Sequence, residues 1–174
     1  MNAPEIPADD SARQLKVVHP DQPNVPHLSL VGDTYTVLLS GEDTRGAYCL
    51  IDMHIPPGGG PPPHRHDFEE SFTVLAGEVE FTFREASQIV RAGETVHIPA
   101  NAPHRFRNNG KNACRLLCIC APAGQDRFFA EVGAAVSERT SAPPQLDASA
   151  LQASKAKAAQ LAPQFRTELI KPPA

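Results

Sequence analysis

The reading of this chain turns on residues 58–77, GGGPPPHRHDFEESFTVLAG. His64 and His66 stand one residue apart, and the carboxylate Glu70 follows four residues after His66. The run Gly58–Pro63 cannot continue a helix: glycine gives up too much freedom there, and proline lacks the amide hydrogen. The histidines therefore sit on an extended segment. On a strand, residues i and i+2 share a face, so His64 and His66 project together and Arg65 points away. Two imidazoles and a carboxylate converging on one point suit zinc, iron, manganese, nickel or copper. Ser71–Leu75, closed by Ala76-Gly77, reads as a strand ending in a turn.

Working outward, a fourth candidate ligand lies in GETVHIPANAPHRFRN, residues 93–108. His104 opens a short strand there, with Phe106 on its face and Arg105 and Arg107 on the other. These two stretches resemble the cupin superfamily. Gly58, His64, His66, Glu70 and Gly77 meet its first motif, G-x5-H-x-H-x3-E-x6-G, without a gap. Gly93, Pro99, His104 and Asn108 meet the second, G-x5-P-x-G-x2-H-x3-N. One position departs: Asn101 stands where the family usually has glycine. Asparagine tolerates the left-handed conformation better than most residues, so the turn is expected to survive.

The rest of the chain reads as strands. Segments 34–40, 47–55, 78–84, 88–91, 95–98, 104–108 and 114–121 each carry apolar, β-branched or aromatic residues between Gly, Pro and Asn turns. In 78–84, Val79, Phe81 and Phe83 alternate with Glu78, Glu80, Thr82 and Arg84, which predicts one buried face. Eight or so short strands imply an all-β sandwich or barrel. The resemblance implies a double-stranded β-helix, the jelly-roll barrel of cupins. Residues 1–26 carry five prolines and read as an extended arm, 27–122 as the barrel, and 123–174 as a helical and extended tail. Within the tail, Gln125–Val132 reads as a helix stopped at Gly133, and Asp147 caps a second over Ala148–Leu161. Residues from Phe165 onward read as extended.

Several secondary candidates follow. Cys49, Cys114, Cys118 and Cys120 fall inside predicted strands without zinc-knuckle spacing and read as buried reduced thiols. His54 shares a strand face with Tyr48, Leu50 and Asp52, and the pattern does not say whether that face looks inward. His97, between Val96 and Ile98, should point outward; Asp67 and Glu69 should stay solvated, and Arg105 and Arg107 read as a surface face. Phe72, Val74, Phe81, Phe83, Phe106 and Leu116 should line the interior near the site. Strand 114–121 is apolar on both faces apart from Arg115, which predicts that its outer face is covered by the tail or by a second subunit. A homodimer is the expectation.

Composition narrows the function classes. A net charge of −4 across 174 residues gives no electrostatic case for nucleic acid or an anionic membrane. No apolar run approaches the ~18 residues of a membrane span. The N-terminal MNAPEIPADDSARQ carries acids and no apolar core, so it does not read as a secretory signal, and a cytoplasmic protein is expected. The expected cofactor is one divalent transition metal per chain (Fe, Mn, Ni, Cu or Zn), held by His64, His66, Glu70 and His104. The layout resembles quercetin dioxygenase-like cupins with a single barrel. That resemblance implies an oxygenase, with Glu70 both binding metal and accepting a substrate proton, and an apolar-walled pocket holding one metal suits a small aromatic or otherwise oxygen-chelating substrate. A non-catalytic barrel that binds metal and a small ligand, and a metal-assisted isomerase or lyase, are the alternatives.

Overall fold

The structure is a computed structural model and describes residues 5–170. Ten strands come first: β1 His27–Leu30, β2 Asp33–Leu39, β3 Cys49–Ile55, β4 His64–His66, β5 Glu69–Ala76, β6 Glu78–Phe83, β7 Ala86–Arg91, β8 Thr95–Ile98, β9 His104–Arg107 and β10 Cys114–Ala121. Helix α1 (Gln125–Val132), the short strand β11 (Ala134–Ala135), helix α2 (Ala148–Leu161), a 3-10 turn (Ala162–Phe165) and strand β12 (Thr167–Leu169) complete the chain. All pairings are antiparallel and form two sheets, β11-β1-β2-β3-β10-β5-β8 and β12-β4-β9-β6-β7. The all-β expectation and both predicted helices hold, with strand ends moved by a residue or two; strands β1 and β11 were not foreseen.

Alternation decides which side chains meet. Cys49, Ile51, Met53 and Ile55 lie opposite Cys120, Cys118, Leu116 and Cys114 across the β3–β10 ladder, and all eight are buried. Phe72 from the first sheet meets Phe81 and Phe106 from the second, with ring centroids 5.2 and 5.4 Å away. These tilted aromatic contacts join the two sheets. Gly60 shows why the approach to β4 needs glycine: its φ is 126°, and a Cβ there would collide with the Phe106 carbonyl. Asn101 adopts φ 70°, so the turn tolerates the substitution as expected.

Of the two covers expected for the outer face of β10, the tail is not the one among the described residues: Ile119 is 38% exposed, and Arg115 and Leu117 are half-buried. Residues after β11 instead cross β1 and β2, where Val136 N–H donates to His27 O and Thr34 Oγ1 donates to Ser141 O. Among the described residues, the tail is thus not the cover that the apolar pattern of Leu117 and Ile119 predicts. The end of the described chain returns to the barrel as β12, which pairs with β4 in the register Thr167↔His66 and Leu169↔His64. Residues 1–4 and 171–174, the ends of the expected arm and tail, lie outside the described residues.

Candidate metal centre

The short strand β4 presents His64 and His66 inward, while Arg65 faces out and pairs with Glu168 on β12 at 2.6 Å. His104 opens β9 directly opposite His64. Glu70 enters from β5, the other sheet, so the site bridges both layers of the barrel. All four side chains are buried, and their ligand atoms lie within 4.8 Å of one another. The sequence-predicted set is therefore brought together.

Each histidine is oriented by a backbone carbonyl. Nδ1 of His64 lies 2.9 Å from Pro62 O, Nδ1 of His66 2.9 Å from Phe68 O, and Nδ1 of His104 2.9 Å from Ala102 O. A carbonyl can only accept, so every Nδ1 carries the hydrogen and every Nε2 presents either a lone pair or an added proton. Phe68 also stacks on His66 with centroids 3.8 Å apart. Nε2 of His66 and His104 lie 3.0 and 3.2 Å from the same oxygen, Glu70 Oε2. Neutral imidazoles would leave these acceptors facing one another, and only protons or a cation reconcile them. That donor set, three nitrogens and one carboxylate oxygen with carbonyls fixing the rings, fits a first-row divalent metal.

Electrostatics tell the same story. Burial alone would raise the Glu70 carboxyl, but hydrogen bonds from His104 and His66 outweigh it and hold it well below the usual carboxylate range. Burial would lower His104, yet the Glu70 carboxylate wins and raises it. His64 is pushed down to about 4 by burial and by its neighbour His104. The second oxygen of Glu70, Oε1, accepts from Cys118 Sγ at 3.3 Å and Cys120 Sγ at 3.5 Å. Burial lifts the Cys118 thiol to about 12, so it stays a donor. All four cysteines are free and buried, as expected, but two of them touch a candidate ligand, which strand alternation alone does not reveal.

Above the ligands opens a cavity of about 1550 Å³, whose wall includes His64, Glu70, Tyr35, Met53, Phe72 and Phe129. Of the residues expected to line the interior, Phe72 and Phe106 border this cavity. Val74, Phe81 and Leu116 are plain core, and Phe83 packs half-buried against it. The other candidates stand apart from the centre. His54 lies on the outer sheet face between Thr34 and Arg115, beside the pair of buried Asp52 with half-buried Arg115. His97 is exposed and pairs with Glu69 at 3.1 Å, and Asp67 pairs with Arg166 at 2.7 Å. Arg105 and Arg107, read as a surface face, border the cavity as well. Tyr35, Met53 and the α1 residues Gln125, Phe128 and Phe129 were not foreseen as walls; their position depends on how α1 docks.

Comparison with known proteins agrees with this geometry. Residues 51–120, which contain every ligand, match the cupin domain family. That stretch is similar to the cupin domain family. Its barrel superposes on the polyketide cyclase RemF from Streptomyces resistomycificus with a TM-score of 0.55 at 25% identity, over 62% of this chain and 80% of that one. A predicted oxalate decarboxylase from Thermotoga maritima gives a TM-score of 0.55 at 22% identity, covering 62% of this chain and 99% of that one, and supports the fold. Among curated relatives, 71 residues are 35% identical to the endoribonuclease YbeY of Myxococcus xanthus (strain DK1622), 41% of this chain and 24% of that protein. The chain thus spans about a quarter of that relative's length. Among the described residues, no helix is long and apolar enough to cross a membrane.

Proposed function

We propose that this cupin is a metal-dependent enzyme, an oxygenase acting on an aromatic substrate that chelates through oxygen. One observation carries the reading: three oriented imidazoles and Glu70 Oε2 converge, and two of the four, His64 and Glu70, border a large cavity with aromatic and aliphatic walls. His64, His66, His104 and Glu70 would hold the metal, which supplies Lewis acidity toward a substrate hydroxyl and, if redox-active, a partner for O2. The chain's own contribution is then specific. The apolar walls exclude water and favour a flat, weakly polar substrate. Glu70 accepts the proton of the substrate hydroxyl at Oε2, while the Cys118 and Cys120 thiols keep Oε1 in place. The resemblance of the first motif to quercetin dioxygenase-like cupins supports the oxygenase assignment.

A second reading, cyclisation or isomerisation without oxygen consumption, is favoured by the likeness to a polyketide cyclase. Oxygen uptake separates the two. Metal content and consumption of flavonols and catechols are measured side by side for wild type and Glu70→Gln. Glu70→Gln should keep much of the metal on the three imidazoles and lose roughly 10²–10⁴ in rate. Wild-type turnover by metal-loaded Glu70→Gln would remove Glu70 from the mechanism. Substrate conversion without oxygen uptake would favour the second reading.

A further inference from the structure

Two of the four ligands sit on a strand that is held mainly by the tail, outside residues 51–120. β4 is three residues long, His64–His66. Toward β9 it makes one pair, His64↔His104, and Asn101 N donates to His66 O at 2.6 Å. Toward β12 every residue is paired: Thr167↔His66, Glu168↔Arg65 and Leu169↔His64. Asp67 N donates to Arg166 O at 3.3 Å and Ile170 N to Pro63 O at 2.8 Å, so the ladder runs past both ends of β4. Arg65 pairs with Glu168 at 2.6 Å and Asp67 with Arg166 at 2.7 Å. These two ion pairs favour one register, because a two-residue shift would set Arg65 against Arg166 or, in the other direction, Asp67 against Glu168.

Register is what the metal centre needs from β4. Side chains alternate between the faces of a strand, so a slip of one residue would turn Arg65 toward Glu70 and carry His64 and His66 outward. The tail itself is lightly fastened. Helix α2 buries no side chain, and the 3-10 turn after it is held by Ala162, which is buried, and by Phe165, whose ring lies 5.4 Å from that of Phe128. A segment with few buried contacts opens locally at lower cost than a core strand. The strand that orders His64 and His66 is therefore one that can undock while the barrel stays folded.

We infer that β12 is a positioning clamp for the metal centre, with Glu168 at its middle: docked on β4, it keeps His64 and His66 on the inner face, and bound metal in turn keeps β12 docked. The inference rests on reading His64, His66, Glu70 and His104 as metal ligands. No clamp residue belongs to that ligand set, so its effect passes through β4. Coupling between two equilibria is reciprocal. The factor by which docking tightens metal binding is the factor by which metal tightens docking.

The test measures Zn(II) affinity of the full chain by chelator competition, and amide hydrogen exchange with and without Zn(II). Hydrogen-bonded pairs alternate along an antiparallel ladder, so the bonds at 67/166 and 63/170 make Arg65 and Glu168 the pair between them. Glu168→Pro removes that amide hydrogen and should weaken Zn(II) binding roughly 10-fold, the low end for loss of groups that orient metal ligands. Glu168→Lys leaves the backbone alone and sets two cations together; the pair is exposed, so the loss should be smaller, roughly 3-fold. Arg65→Glu combined with Glu168→Lys restores opposite charges and should recover wild-type affinity, which a general loss of stability would not do. In wild type, Zn(II) should slow exchange at the Glu168 and Ile170 amides by about the factor that Glu168→Pro loses. Wild-type affinity in Glu168→Pro, or exchange indifferent to Zn(II), overturns the clamp. Should Glu168→Pro not fold, Glu168→Lys decides: no loss there, or no recovery in the charge-swapped double variant, overturns it equally. A wild type that takes up no Zn(II) refutes the metal centre and the clamp with it, whereas normal uptake with insensitive variants refutes the clamp alone.

Discussion

Raising the pH from about 5 to 8 should weaken this fold, and Asp33 is the cause. Asp33 opens β2, is fully buried, and accepts from Tyr35 Oη at 3.0 Å and from Gly60 N at 3.2 Å. Burial pushes its carboxyl up to about 7, against the opposing pull of those two hydrogen bonds and of the Arg107 charge. In the unfolded chain the same group ionises near 3.8. Its folded pKa is raised, so the stability it contributes is full below the unfolded value and is lost as the pH climbs through the folded one. A gap of about three pKa units corresponds to ~4 kcal/mol across the whole window, of which ~2–3 kcal/mol falls between pH 5 and 8. Asp33→Asn keeps a neutral group of nearly equal shape. Its Oδ1 can accept from Gly60 N, and the Tyr35 hydroxyl can turn to accept from the amide. The assay is urea unfolding at a series of pH values with chelator present, so that metal binding does not enter. The wild-type-minus-variant difference isolates Asp33 from every other titrating group. The variant should gain on wild type steadily across pH 5–8 and overtake it at the upper end. Parallel pH profiles for the two proteins would refute the reasoning.

Two further outcomes rest on the same structure. Cys118→Ala combined with Cys120→Ala removes both donors to Glu70 Oε1 and should lower metal affinity ~10-fold in a chelator competition, the low end for loss of groups that orient a ligand; Cys118→Ser, which keeps a donor, should lose less. Leu75 and Ile119, 43% and 38% exposed on neighbouring strands of one outer sheet face, extend the uncovered face of β10 and lead us to expect a homodimer burying more than about 2,000 Å². Sedimentation at micromolar concentration checks this, and a monomer alone would remove the argument.

What the sequence made legible is whatever depends on local periodicity. The i, i+2 spacing of His64 and His66 fixed their common face, and a strand opening at His104 placed a third imidazole toward them. The Val79, Phe81, Phe83 alternation gave the buried side of β6, and Asp147 was readable as a cap because its carboxylate accepts from Ala150 N three residues on. What remained hidden depends on tertiary docking. Nothing local to Cys118 or Cys120 says that Glu70, on the neighbouring strand, turns one oxygen toward them. Thr167–Leu169 is too short to announce a strand, and it becomes one because β4 offers it an open edge. The outer face of β10 shows the limit of pattern: apolar residues record that a surface prefers cover, not whether a segment of the same chain or a second copy provides it.

The central claim is that His64, His66, Glu70 and His104 hold one divalent metal. Its most direct test is the metal content per chain by elemental analysis, for wild type, His66→Ala and His104→Ala, each loaded with Zn(II) or Mn(II) and freed of excess ion. The account predicts one metal per wild-type chain and a large loss in both variants. The far-UV spectrum should be unchanged, because the core around Phe72, Phe81 and Phe106 does not involve these rings. Full occupancy in both variants, or a wild type that takes up no metal, would contradict it.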